Sequence, residues 1–200
     1  MKHSLAEIYS LISESGVIDP GGFPLRATLA AVAWEESRGN PNAWAEHDPP
    51  SSQTAPPSSG LYQVHRSAWP EIYEHTERVR LAPHLSDKEK IIGMTELVKP
   101  IISWALTAAA DAVRTLAARG IRVNPLNMAL YIDATWQAGA GHLAEWAKRT
   151  RTGNPREIVN PERTVRAEVS LRHLAFRALE VAPDVAVVLA VLAALGIAAY

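Results

Sequence analysis

Two hundred residues, 48% of them apolar, suffice to bury one substantial core, which points to a single compact domain with an appendage rather than two equal domains. A net charge of −1 singles out no class of partner, and the absence of cysteine excludes disulfides, thiolate catalysis and Cys-ligated zinc.

Leu5, Ile8, Leu11 and Ile12 give residues 1–16 the apolar stripe of an amphipathic helix that Gly16 ends. Glu7 and Glu14 interrupt the stretch, so it is not expected to act as a classical secretion signal. After a Pro/Gly turn at residues 19–24, a second helix is expected over residues 26–36. Leu25, Leu29, Val32 and Ala33 recur there at three- and four-residue spacing, which buries one face and leaves Glu36 at the last turn. Gly39 and Pro41 stop the helix. A carboxyl group in that place lies near the negative end of the helix dipole and beside apolar side chains, and both favour its protonated form. Such a group suits a general acid. Glu35 is about 100° further round the helix and is expected to point elsewhere, as a surface acid or one supporting the site from behind.

Residues 45–59 hold four prolines and no apolar period, and read as a loop on the rim of a cleft. Its neighbours His47 and Asp48 could form a metal pair or supply a second catalytic carboxylate, although an adjacent His-Asp in a polar loop is more often solvated. Gly60 to Val64 returns to packed structure, with Leu61, Tyr62 and Val64 as core candidates. Trp69, Ile72, Tyr73 and Val79 give residues 68–81 helical spacing, and Ile91, Ile92, Met94 and Leu97 do the same for residues 87–98. Ser86, three residues before Glu89, predicts a capping box. An alanine-rich helix follows over residues 101–119 and ends at Gly120. Pro125 then opens a largely apolar helix over residues 126–137, which carries Met128, Ala129, Tyr131, Ile132 and Trp136 and is expected to be central.

Asn154-Pro155 and Asn160-Pro161 break the chain in two steps before a helix over residues 162–181. Residues 148–177 hold eight basic side chains against three acidic ones, an excess read as a solvated helix face. The last sixteen residues, 185–200, carry no charge. As a helix they would span about 24 Å, short of the roughly 30 Å hydrocarbon core of a bilayer.

Three blocks carry a family resemblance. Glu36-Ser37-Arg38-Gly39-Asn40-Pro41-Asn42-Ala43 resembles the "E-S-x-x-N-P-x-A" signature of soluble lytic transglycosylases and goose-type lysozymes. Ser59-Gly60-Leu61-Tyr62-Gln63-Val64 resembles the family's "G-L-M-Q-I", and Trp136-Gln137-Ala138-Gly139-Ala140-Gly141 resembles its "Y-N-A-G-P-G". The blocks stand in the family's order; the third departs at the Tyr, Asn and Pro positions.

The resemblance implies an all-α, lysozyme-like transglycosylase domain over residues 1–160, followed by a helical extension over residues 161–200 with a hydrophobic tail. It implies a substrate, the β-1,4 bond between N-acetylmuramic acid and N-acetylglucosamine in peptidoglycan, and no cofactor or metal. Glu36 would protonate the leaving oxygen. Ser37, Gly60, Leu61, Tyr62, Gln63, Trp136, Gln137, Ala138 and Gly139 would frame the substrate, with the amide of Gln63 on sugar or backbone, Trp136 in the cleft and Trp34 in the core. The matched blocks hold no second acid. Lytic transglycosylases need none, because the substrate's N-acetyl group assists and its 6-hydroxyl closes a 1,6-anhydro ring. A hydrolase using Asp48 and a degenerate structural protein of a phage particle are the alternatives. Delivery to the cell wall is expected within a phage particle or by another non-classical route, such as a lysis pore or a dedicated secretion machine. The tail is expected to mediate self-association or assembly, with membrane contact as a secondary role.

Overall fold

The computed structural model describes residues 3–19, 24–45 and 57–181, and it is all-α in character: eight helices and three two-residue strands occupy the described residues. Helix α1 (Leu5–Glu14) starts at a capping box in which Ser4 and Glu7 satisfy each other's backbone N–H groups, and it buries Leu5, Ile8, Leu11 and Ile12. These pack on α2 (Leu25–Ser37). Six consecutive side chains of α2, Thr28 to Ala33, are buried, so this helix shows no polar stripe and takes the centre of the bundle. The small side chains of Ala30, Ala31 and Ala33 let α1, α6 and α8 close in around it.

Arg38 (φ 55°) and Gly39 (φ 71°) end α2 in the left-handed region. Gly39 also lies against α1: a Cβ there would come within 2.4 Å of Ile8 Cδ1 and 2.7 Å of the His3 carbonyl oxygen. Only glycine meets both conditions. The turn that follows is pinned by the Asn42 side chain, which donates to Asp87 Oδ1 at 2.9 Å and accepts from Lys90 Nζ at 2.8 Å.

Strands β1 (Trp44–Ala45), β2 (Ser58–Ser59) and β3 (Val64–His65) form an antiparallel sheet in that order, with Trp44 opposite Ser59 and Ser59 opposite Val64. The two ends of the expected loop 45–59 are therefore strand, and Ser58 and Ser59 are buried. Residues 46–56, with His47 and Asp48, lie outside the described residues. Gly60 (φ 75°) turns β2 into β3 directly against the core, where a Cβ would approach Thr76 Cγ2 to 2.6 Å and Met94 Sδ to 2.9 Å. Gly60→Ala is expected to cost about 2 kcal/mol or more in urea unfolding, from overlap added to backbone strain. Gly120 has a similar φ of 77° but nothing within 4 Å of the added Cβ, so Gly120→Ala should cost only the backbone share of about 1 kcal/mol. Equal losses at the two sites would contradict the packing argument.

Helix α3 (Pro70–Leu81) packs on β2 and β3, α4 (Asp87–Leu97) packs on α3 and α1, and α4 begins at the expected capping box of Ser86 and Glu89. In α5 (Lys99–Ala118), Ala105, Ala109, Ala112 and Leu116 make a smooth buried stripe against α6 (Pro125–Ala138) and α7 (Ala140–Arg149). Gly139 (φ 85°) separates α6 from α7. After a short 3-10 turn at Pro155–Glu157, α8 (Pro161–Val181) returns across α1, α2 and α6 and buries Ala167, Leu171 and Leu174. The expected boundary at residue 160 thus falls between elements that share one core. Residues 182–200, including the hydrophobic run 185–200, lie outside the described residues.

Candidate functional site

Glu36 lies in the last turn of α2, beside helices α6 and α8. Its Oε1 accepts a hydrogen bond from Arg163 Nη2 of α8 at 2.7 Å. Its Oε2 has no partner among the described residues. The same Nη2 donates to Asp133 Oδ1 of α6 at 3.0 Å, and Arg163 Nε to Asp133 Oδ2 at 3.4 Å. Side-chain exposure is 17% for Glu36, 10% for Arg163 and 4% for Asp133, so two carboxyl groups and one guanidinium share a nearly dry site. Burial raises the pKa of Glu36 above the ordinary carboxylate range; Arg163 opposes the shift, and Asp133 and Glu35 add to it. Burial likewise raises Asp133 against the pull of Arg163. For Arg163 burial works toward a lower pKa, but the two carboxylates outweigh it and keep the guanidinium charged.

Glu35 is not a surface acid. Its side chain is 1% exposed and accepts from Arg166 Nε at 2.8 Å and Arg38 Nη1 at 3.3 Å. The basic excess of residues 148–177 is correspondingly not a uniformly solvated face, since Arg163 and Arg166 clamp the paired glutamates of α2. The reason is positional: α8 lies across the end of α2, and the two arginines, three residues apart, fall on the side that meets it. Ser37 spends its hydroxyl on its own helix, donating to the Ala33 carbonyl at 3.0 Å. Trp34 packs against the core, as expected.

The second block is largely interior. Leu61 and Tyr62 are buried, and the Tyr62 hydroxyl lies 3.0 Å from Thr95 Oγ1. Burial pushes that hydroxyl well above its ordinary pKa. Gln63 (φ 47°) uses both ends of its amide on its own turn, accepting from Ser58 Oγ at 2.7 Å and donating to the Gly60 carbonyl at 2.9 Å. The third block meets the second through Trp136, whose indole N–H donates to the Tyr62 carbonyl at 3.1 Å and whose ring lies 5.7 Å from the Tyr62 ring. Gln137 and Ala138 are exposed, and Gly139 forms the break after them.

These blocks border a cavity of about 290 Å³, lined by Gln63, Val64, Trp69, Trp104, Trp136 and Gln137 among others. Trp69 and Trp104 pack edge to face, their rings 5.6 Å apart, and with Trp136 they give the cavity three indoles beside amide and hydroxyl groups. Flat apolar faces next to hydrogen-bonding groups suit pyranose rings. Glu36 is not in the cavity wall. It is joined through Arg163 to Asp133, which precedes Gln137 by one turn of α6, a rise of about 6 Å.

Sequence reasoning does not single out Asp133, Arg163 or Trp104. A lone carboxylate inside the apolar run of α6 was the available signal for Asp133, and a tryptophan in an alanine-rich helix that for Trp104. Arg163, in a polar stretch after a proline, carried none. No group of three or more His, Asp or Glu side chains is placed to hold a metal ion among the described residues.

The chain matches no family model, no curated protein and no solved structure.

Proposed function

We propose that the chain is a lysozyme-like lytic transglycosylase that cuts the β-1,4 bond between N-acetylmuramic acid and N-acetylglucosamine in peptidoglycan. The observation that carries this reading is the Glu36 carboxyl: largely buried, raised in pKa, with one oxygen uncommitted among the described residues, and joined through Arg163 to Asp133, which stands one turn of α6 before Gln137 in the wall of a cavity lined with indoles and amides. Protonated Glu36 donates its proton to the glycosidic oxygen as the C–O bond breaks. The substrate's N-acetyl oxygen closes on the anomeric carbon, and Glu36, now a carboxylate, takes the proton of the 6-hydroxyl as that oxygen attacks the anomeric carbon, displaces the N-acetyl oxygen and closes the anhydro ring. A single acid suffices. Asp133 is unsuited to be the second carboxylate of a hydrolase, because it is 4% exposed and held by two bonds from Arg163. Arrival at the cell wall inside a phage particle, and self-association through residues 185–200, belong to the same proposal.

One observation favours a second reading, a structural protein without activity: Arg163 holds Glu36 Oε1 in a buried ion pair. Digestion of purified peptidoglycan followed by mass spectrometry separates these cases. Fragments ending in 1,6-anhydro-muramic acid are expected, each lighter by one water than its reducing counterpart. Reducing ends would mean a hydrolase, and undigested polymer the structural reading.

A further inference from the structure

A single guanidinium nitrogen serves two carboxyl groups. Arg163 Nη2 donates to both Glu36 and Asp133, and Nε adds a second bond to Asp133 alone, so Asp133 receives the fork and Glu36 a single bond. The charges facing Glu36 are Glu35 on its own helix, itself paired with Arg38 and Arg166, then Asp133 on α6 and Arg163 on α8. With both carboxyl groups ionised, Glu36, Asp133 and Arg163 would bury a net charge of −1, which is costly where water is scarce. One proton retained on the pair removes it. Because Glu36 Oε1 already accepts the Nη2–H, a proton on Glu36 belongs on Oε2, the oxygen with no partner among the described residues.

We propose that Arg163 and Asp133 are positioning residues for Glu36: the guanidinium fixes one carboxyl oxygen, and Asp133 absorbs the guanidinium's charge, so that Glu36 holds a transferable proton on the other. This rests on the reading of Glu36 as the acid. Carboxyl-carbon NMR titration of the unmodified, uniformly labelled protein tests it without substrate. The Glu36 and Asp133 signals should share the same two inflections, because two acids coupled through one cation titrate as a pair. In Asp133→Asn the guanidinium's charge falls on Glu36 alone, and the Glu36 titration should move down by on the order of one pH unit. The alkaline limb of the pH profile for peptidoglycan cleavage should move with it. Arg166→Gln, which disturbs the Glu35 pair instead, should shift Glu36 far less.

Independent single inflections in the unmodified protein, or an unmoved Glu36 in Asp133→Asn, would overturn the proposal even in an active enzyme. Should that variant not fold, the curves of the unmodified protein decide alone. Coupled curves in a chain that cuts no peptidoglycan would instead overturn the enzyme reading, and the positioning role with it.

Discussion

Replacing Glu36 by glutamine is expected to stop peptidoglycan cleavage, with a loss on the order of ten-thousandfold, because one side chain serves as acid and then as base. The fold should not suffer. The introduced amide keeps a carbonyl oxygen to accept the Arg163 Nη2–H, and the loss of one ionisable group turns a cluster of two carboxyls and one guanidinium into a balanced pair of Asp133 and Arg163. The Glu36 pKa is raised by burial, so the contribution of Glu36 to stability is fully present below the ordinary carboxylate range and is lost as pH rises through its folded value. The variant escapes that loss. Its melting temperature at neutral pH should equal or exceed that of the parent, measured beside the turbidity decay of a peptidoglycan suspension. Clearing at the parental rate would remove Glu36 from the chemistry. A collapse of the fold would show that the ionised carboxylate is a structural charge.

How much of this was legible in the sequence follows the range of the interactions. The helices were, because their signals are local: Ser86 and Glu89 cap each other across three residues, and the apolar positions of α1 and α4 recur within one or two turns. The small sheet was not. Two-residue strands carry no alternation, and Trp44 lies opposite Ser59 just before Gly60 seats the next turn against Thr76 and Met94. A glutamine in a block that resembles a transglycosylase signature reads as a ligand contact, and here its short loop also lets Gln63 reach Ser58 and Gly60.

The candidate site divides in the same way. Glu36 announces itself by its place at the end of an apolar helix. Its partners are distant in sequence: Arg163 lies 127 residues away, and Asp133 stands 30 residues before Arg163. Counting basic side chains between residues 148 and 177 cannot tell which of them turn inward, since that depends on where α8 crosses α2. The crossing is set by Ala167, Leu171 and Leu174, side chains whose burial the helical period predicts but whose docking partner it leaves open.

Arg163→Met is expected to destabilise the protein by about 3–5 kcal/mol at neutral pH, the range for removing one partner of a buried ion pair. Methionine fills a comparable volume, so the loss is not one of packing. It comes from leaving Glu36 and Asp133 facing each other without a counter-ion, at 17% and 4% side-chain exposure. The deficit should depend on pH with a definite sign. Both groups already have folded-state pKa values above the ordinary range, burial being the first cause of each shift, and Arg163 is the main influence holding them down. Its removal raises both further and widens the gap to the unfolded chain, where such groups titrate at about 4. A carboxyl group of this kind lends its stability below the unfolded pKa and loses it as pH rises through the folded one. The variant should therefore lie closest to its parent near pH 4, where the carboxyl groups are becoming neutral, and fall away steadily toward pH 7. Urea midpoints for both proteins across that interval give the difference directly. A gap that is constant, or that widens on acidification, would mean that the guanidinium acts through its shape and packing and not through its charge.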